Sequence, residues 1–315
     1  MQTRTAEVDV AARSAEDAPT HPRAAGSPQR VGSVDERNRS YGSFELRPLT
    51  PHLGAEVTGI DLSKPLDETQ QADVRHAFAD WSVLAFRDQH LDREAHKQFG
   101  RYFGGLHQHP MNYSRTGDPE ILVVKTTANS AYTAGDGWHT DVTCDAIPPL
   151  ASALYITETP ECAGGDTLYA DMYLAYELLS PAMQQFLEGL TAVHDGAKPY
   201  VGAYQSTPPE GGYPCNEHPV VTVHPDTGRK VLFVNSGFTT RIKGLRAWES
   251  QALLDSLYNH IATTPRLYAR VEWKPNTLTL WDNRCTQHHA VWDYHPHSRY
   301  GERVSVLGDV APAGV

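Results

Sequence analysis

Beyond Val193 the chain breaks into short apolar segments divided by turn-rich clusters, and this rhythm restricts the fold more than any other feature. Val220-Val221-Thr222-Val223, Val231-Leu232-Phe233-Val234, Val271-Glu272-Trp273, Thr277 to Trp281 and Arg303 to Leu307 are too short for helices and rich in β-branched and aromatic residues. Turns at His224 to Arg229 and Lys274 to Asn276 separate them, and a helix over about Ala247 to Ile261 interrupts them. Short strands with a turn every ten or so residues predict a β-sandwich or barrel, and no internal repeat argues otherwise.

Upstream, the stretch Phe44 to Leu62 is β-rich around the turn formers Pro51 and Gly54. Asp67, with Gln70 three residues on, reads as a helix cap before Val74, Phe78 and Trp81 at core spacing, and Ser82 to Phe86 then reads as a buried strand. A second helix starts at Asp92 and buries Phe99 and Phe103. Ala151 to Thr157 is a strand, followed by a helical pair, Tyr173 to Leu179 and Pro181 to Leu190, with Ser180-Pro181 as cap and first turn. The Pro- and Gly-rich stretch Asp195 to Cys215 is expected to be a lid loop.

Residues 1–42 are rich in Ala, Arg, Ser, Pro, Asp and Glu and carry no apolar periodicity, so a disordered tail is expected there and a single domain over 43–315. The tail lacks the apolar run of a signal peptide, and Glu7, Asp9, Glu16 and Asp17 speak against a transit peptide. A formal charge of −11 without clustered Lys and Arg argues against nucleic-acid binding, and no stretch approaches the roughly 20 apolar residues that cross a bilayer. Cys144, Cys162, Cys215 and Cys285 lie far apart with no Cys-x-x-Cys spacing, which predicts neither a disulfide framework nor a cysteine zinc site and suits a reducing, cytoplasmic setting. In so acidic a chain, any anionic ligand must be met by a local positive site.

The segment Asp136-Gly137-Trp138-His139-Thr140-Asp141 places a histidine and a carboxylate two residues apart, on one face if the chain is extended. Two histidines and a carboxylate make the facial triad of non-haem Fe(II) oxygenases, which leaves coordination positions open for co-substrate and O2. Trp281-Asp282-Asn283-Arg284-Cys285-Thr286-Gln287-His288-His289 offers the missing imidazole, and strand alternation lets only one of the adjacent pair face the site. Arg299 and Arg303 follow eleven and fifteen residues past His288. Four residues apart on extended chain, they share a face and can each fork a different anion.

These residues resemble the taurine dioxygenase and 2,4-dichlorophenoxyacetate dioxygenase family. Four motifs occur in the family's order: Trp-His-Thr-Asp-Val-Thr at 138 to 143, Gly-Gly-Asp-Thr at 164 to 167, Asn-x-Gly-Phe-Thr-Thr-Arg at 235 to 241 and Trp-Asp-Asn-Arg-x-Thr-Gln-His at 281 to 288. The resemblance implies a mainly β fold with flanking helices and a double-stranded β-helix, or jelly-roll, core. It implies Fe(II) held by His139, Asp141 and His288, and 2-oxoglutarate bound by Arg299 and Thr167. It also implies a small anionic substrate, a sulfonate, sulfate ester or carboxylate, met by Arg303, His109 and the backbone amide of Val142. Hydroxylation with O2, releasing succinate and CO2 and in some cases cleaving a C–S or C–O bond, is the implied reaction. Relatives that form dimers or tetramers carry a homo-oligomer as a further expectation.

Around the far end of the substrate the chain departs from the taurine-specific pattern. Asn112 stands where taurine-cleaving relatives have tyrosine, Gly135 replaces an asparagine, and Pro199-Tyr200 replaces Ser-Phe, while Phe238 keeps its apolar wall. The resemblance thus implies a retained anion contact and a substrate other than taurine. Two other readings fit the same donors: a zinc hydrolase, which lacks here its usual His-Glu-x-x-His signature, and a non-enzymatic metal-binding jelly-roll sensing module.

Overall fold

Turn residues between two extended runs produce the first hairpin: β1 (Glu45–Pro48) and β2 (Ala55–Thr58) pair antiparallel across the turn that holds Pro51 and Gly54. The computed structural model describes residues 40–109 and 117–315. Helix α1 (Glu68–Trp81) begins at a capping box in which the Asp67 carboxylate accepts from Gln70 N at 2.8 Å and Gln70 Oε1 accepts from Asp67 N at 3.1 Å. Ser82, at φ 60°, ends the helix and turns the chain into β3 (Val83–Phe86). Helix α2 (Arg93–Arg101), capped by Asp92, then leads to β4 (Leu122–Thr126), β5 (Ala151–Glu158) and β6 (Thr167–Asp171).

The central part supplies α3 (Met172–Glu177) and α4 (Pro181–Leu187), the latter capped by Ser180 with proline in its first turn, and then β7 (Thr191–Asp195). Strands β8 (Cys215–Pro219), β9 (Val221–Val223), β10 (Lys230–Leu232) and β11 (Thr239–Ile242) precede α5 (Ala247–Ala262). The chain finishes with β12 (Tyr268–Val271), β13 (Thr277–Asp282), β14 (Thr286–Ala290), β15 (Arg299–Val306) and β16 (Ala313–Gly314).

One seven-stranded sheet has the order β1-β2-β3-β13-β5-β15-β4, and three-stranded sheets follow β12-β6-β14, β11-β7-β8 and β10-β9-β16. Period-two alternation divides the large sheet's side chains between two cores. Leu84, Phe86, Ala153, Leu278 and Leu280 join the helices α1 and α2 on one face, whereas Val83, Ala85, Leu154, Ile156 and Trp281 pack on the other with Tyr169, Ala269 and Val271 of the β12-β6-β14 sheet. Burial on both faces explains why β3 is apolar throughout. A third core lies beneath α3, α4 and α5. No helix among the described residues is long and apolar enough to cross a membrane.

Several local expectations need correction. Tyr41, assigned by composition to the tail, is 8% exposed and stacks on Phe44 in the first core; residues 1–39 lie outside the described residues. The strand expected at Val271 to Trp273 is β12, ending at Val271, and the one expected at Arg303 to Leu307 begins at Arg299. The segment between β7 and β8 contains a π-helical turn, Lys198–Ala203, with Tyr200 buried inside it.

Candidate active site

Two of the sheets meet the segment 135–145 at one point, where the donor set assembles. His288 lies on β14, and His139 pairs with it through an isolated antiparallel bridge: His139 N donates to His288 O at 3.1 Å and His288 N to His139 O at 2.8 Å. Thr140 Oγ1 extends the tie to Thr286 O at 2.9 Å. The extended run expected through Asp141 stops there, because the chain turns at 141–144 and Val142 adopts φ 48°. Convergence is nevertheless achieved. His139 Nε2 and His288 Nε2 lie 3.8 and 3.9 Å from Asp141 Oδ1, and the imidazole centroids are 4.1 Å apart. His289 points the other way, to Asp136 Oδ1 at 3.1 Å, as alternation along β14 requires.

His139 Nδ1 donates to the Gly137 carbonyl at 2.9 Å, which leaves the Nε2 lone pair directed at the site. Burial keeps both imidazoles neutral by lowering their pKa values. Burial pushes the Asp141 carboxyl up, but the Arg303 guanidinium, helped by the Ser152 hydroxyl, outweighs it and holds it well below the usual carboxylate range. Arg303 NH1 donates to Asp141 Oδ1 at 2.6 Å and Ser152 Oγ to Oδ2 at 2.7 Å. Two neutral imidazoles and one carboxylate, all donor atoms within 4.8 Å, suit a divalent iron-type ion with open positions.

A second cluster, His224, Asp282 and Cys285, is equally close-set but serves the fold. His224 Nδ1 accepts from the amides of Asp226 and Thr227, so its Nε2 must donate to Asp282, whose two oxygens also accept from Arg284.

Arg299 and Arg303 share the inward face of β15. Arg299 is 2% exposed, burial lowers its pKa, and its Nε and NH2 groups have no partner. Its guanidinium stands 5.4 Å from the Trp273 ring, whose Nε1 donates to Thr167 Oγ1 at 3.0 Å. The Thr167 hydroxyl hydrogen is thereby left to point elsewhere. A buried cation with unfilled donors beside a free hydroxyl fits a ligand carboxylate.

On the other side, Val142, Tyr200, Phe238 and Cys144 form a small apolar cluster. Asn235 positions Phe238 by accepting from its amide at 2.8 Å while donating to Thr143 Oγ1 at 3.1 Å, which accounts for the asparagine in that motif. The His109 ring meets Tyr200 edge-on at 5.9 Å, and burial, then Arg303, pull its pKa down to about 3. One cavity of about 600 Å³ connects the three metal donors, both arginines, Thr167, His109, Val142, Tyr200 and Phe238. Asn112 lies outside the described residues.

Sequence reading missed Ser152, Tyr169 and Tyr204. Tyr169 was detectable, since it lies two residues past Thr167 on an alternating strand. Ser152 sits in a continuous buried run and Tyr204, whose hydroxyl accepts from Gly135 N at 3.1 Å, on the far end of the π-helical turn, and neither has a sequence signature.

Comparison with known proteins identifies the family. Residues 45–305 match the family model described as taurine catabolism dioxygenase TauD, TfdA family. An alpha-ketoglutarate-dependent sulfonate dioxygenase of Saccharomyces cerevisiae is 32% identical over 84% of this chain and 67% of its own. An alpha-ketoglutarate-dependent sulfate ester dioxygenase of Pseudomonas putida is 32% identical over 86% and 92%. The crystal structure of a taurine dioxygenase from Burkholderia xenovorans superposes with a TM-score of 0.75 at 37% identity, covering 86% of this chain and 91% of that one. The jelly-roll core implied by the resemblance is the architecture of these neighbours, and neither the zinc hydrolase nor the sensing module finds support among them. The chain belongs to the TauD, TfdA family and is an Fe(II)- and 2-oxoglutarate-dependent dioxygenase.

Proposed function

We propose that the enzyme hydroxylates a small organic anion with an apolar tail, a sulfonate, sulfate ester or carboxylate, and that the residues assembled in the cavity divide the work. The observation that carries this reading is the presence of two separate buried arginines on one strand face beside a single metal donor set. His139, Asp141 and His288 hold Fe(II). Arg299 and Thr167 bind the distal carboxylate of 2-oxoglutarate. Arg303, His109 and the Val142 amide receive the anion of the substrate, and Tyr200 and Phe238 border its tail. Fe(II) with O2 and 2-oxoglutarate supplies the oxidant that replaces a C–H bond by C–OH, with succinate and CO2 as the other products.

The chain's own groups set the conditions for that step. Arg303, by donating to Asp141, keeps the carboxylate ionised and oriented in a buried site. Neutral His109 can donate one hydrogen bond to a substrate oxygen without adding charge. Trp281 and Tyr169 flank the His288 ring at 4.8 and 6.1 Å and shield it from water.

The tail region supports an uncharged group. Among the described residues the only carboxylates lining the cavity are Asp136, engaged by His289, and Asp141, engaged by Arg303. At Gly135, φ is +84° and a Cβ would lie 3.2 Å from the His139 ring, so no polar side chain reaches the tail from there. An ammonium group would be buried without a partner, at a cost of several kcal/mol. Taurine is therefore a poor substrate in this reading. Four free thiols among the described residues suit a reducing compartment, consistent with a cytoplasmic enzyme.

Anaerobic addition of Fe(II) and 2-oxoglutarate should give a visible charge-transfer band, and succinate release should respond to alkyl sulfates and sulfonates above taurine. A folded protein without the band, or taurine stimulating at least as well as the panel, refutes the respective half of the proposal.

A further inference from the structure

Tyr169 is a buried group to which the proposed division of labour gives no bonding role. It lies on β6, two residues from Thr167 and on the same face, directly opposite His288 in the register of β6 with β14. Its ring is wholly buried among Trp281, His288 and the sheet interior, yet it lines the cavity, and its hydroxyl has no hydrogen-bond partner.

The surroundings say what kind of partner is missing. Tyr169 shares the cavity lining with Arg299, Arg303 and Asp141. A phenol is protonated at neutral pH, and this buried hydroxyl lacks an acceptor. Neither arginine can accept, because a guanidinium has only donors. Asp141 already accepts from Arg303 and Ser152. An anionic ligand of Arg299 in this shared cavity would supply the acceptor.

We propose that Tyr169 is a co-substrate-positioning residue whose hydroxyl donates a hydrogen bond to 2-oxoglutarate, completing with Thr167 and Arg299 a three-point cradle. This rests on the assignment of Arg299 and Thr167 to 2-oxoglutarate above. The cradle spans two sheets, with Thr167 and Tyr169 on β6 and Arg299 on β15. The bound dianion is then located laterally as well as held by charge.

Tyr169→Phe tests the inference, because it keeps the ring packing and removes only an unpartnered oxygen. Ligand-free stability in urea should be unchanged or higher. Calorimetric titration of 2-oxoglutarate into the Mn(II)-loaded protein should show affinity about tenfold weaker than in the native protein. The stabilisation conferred by 2-oxoglutarate should shrink in step, with the KM for the organic substrate unmoved. Affinity within about twofold of native, or a fall in ligand-free stability, overturns the role of Tyr169. If the native protein itself takes up no 2-oxoglutarate, the assignment of the cavity fails and this inference with it.

Discussion

Replacing Arg299 by methionine should move stability and ligand binding in opposite directions. The guanidinium is 2% exposed and leaves Nε and NH2 unbonded, so the ligand-free fold bears a desolvated cation with unfilled donors. Each buried donor left unfilled costs about 1–3 kcal/mol, and methionine of similar length refills most of the volume. The expected change in ligand-free stability thus lies between zero and a gain of about 2 kcal/mol. Binding should behave otherwise. Breaking a buried ion pair costs about 3–5 kcal/mol, which at 1.4 kcal/mol per decade raises the Kd for 2-oxoglutarate by about 140- to 3,700-fold. Urea unfolding gives the first quantity, and calorimetry on the Mn(II)-loaded protein gives the second. A weakening of less than about tenfold, or a stability loss beyond about 2 kcal/mol, refutes the reasoning.

Arg303→Gln should raise the KM for the organic anion by about a hundredfold while leaving 2-oxoglutarate affinity within about threefold; equal losses in both would contradict separate anion sites. Gly301→Ala places a Cβ 2.4 Å from Ile156 Cδ1 and 2.6 Å from the Tyr155 carbonyl, where β15 shifts register against β5, and should cost about 2–3 kcal/mol by urea unfolding. A loss under about 1 kcal/mol would show that the strand can yield there. Burial lowers His96 to about 4 and His194 to about 3 in the folded protein. Unfolded histidines protonate near 6.5, so the folded state binds fewer protons, and stability should be level above pH 7 and fall as pH drops from about 6.5 towards 4. Equal urea midpoints at about pH 7.5 and 5 would contradict this, and His96→Gln should flatten the slope.

Legibility in the sequence follows the kind of force involved. The Asp67 capping box, the Ser180-Pro181 helix start and the two-sided strand Val83–Phe86 were readable because local chemistry alone decides them. Strands β8 (Cys215–Pro219) and β11 (Thr239–Ile242) were not, since Cys-Asn-Glu-His-Pro and Thr-Thr-Arg-Ile carry little apolar alternation and become strands only by pairing with β7. At the site, alternation requires one of His288 and His289 to face away, and His289 does, whereas Asp141 reaches His139 through a turn with Val142 at positive φ that no spacing rule announces. Arg299 and Arg303 were expected on one face because four residues of strand bring side chains back to the same side, and β15 obeys. Ser152 escaped notice because its hydroxyl matters only once a distant segment, at 141, folds over it.

Strand β15 is hydrogen-bonded on one edge to β4 and on the other to β5. Its four-residue step from Arg299 to Arg303 therefore spans about 13 Å of stiff backbone, and no side-chain motion alters that interval. Two anions anchored at its ends, as proposed, would be measured from a common ruler. An organic substrate gripped by its charged end would then present to the metal the carbon at a set number of bonds from that charge, whatever the length of its tail. Lengthening the tail should change affinity and leave the position of hydroxylation where it was.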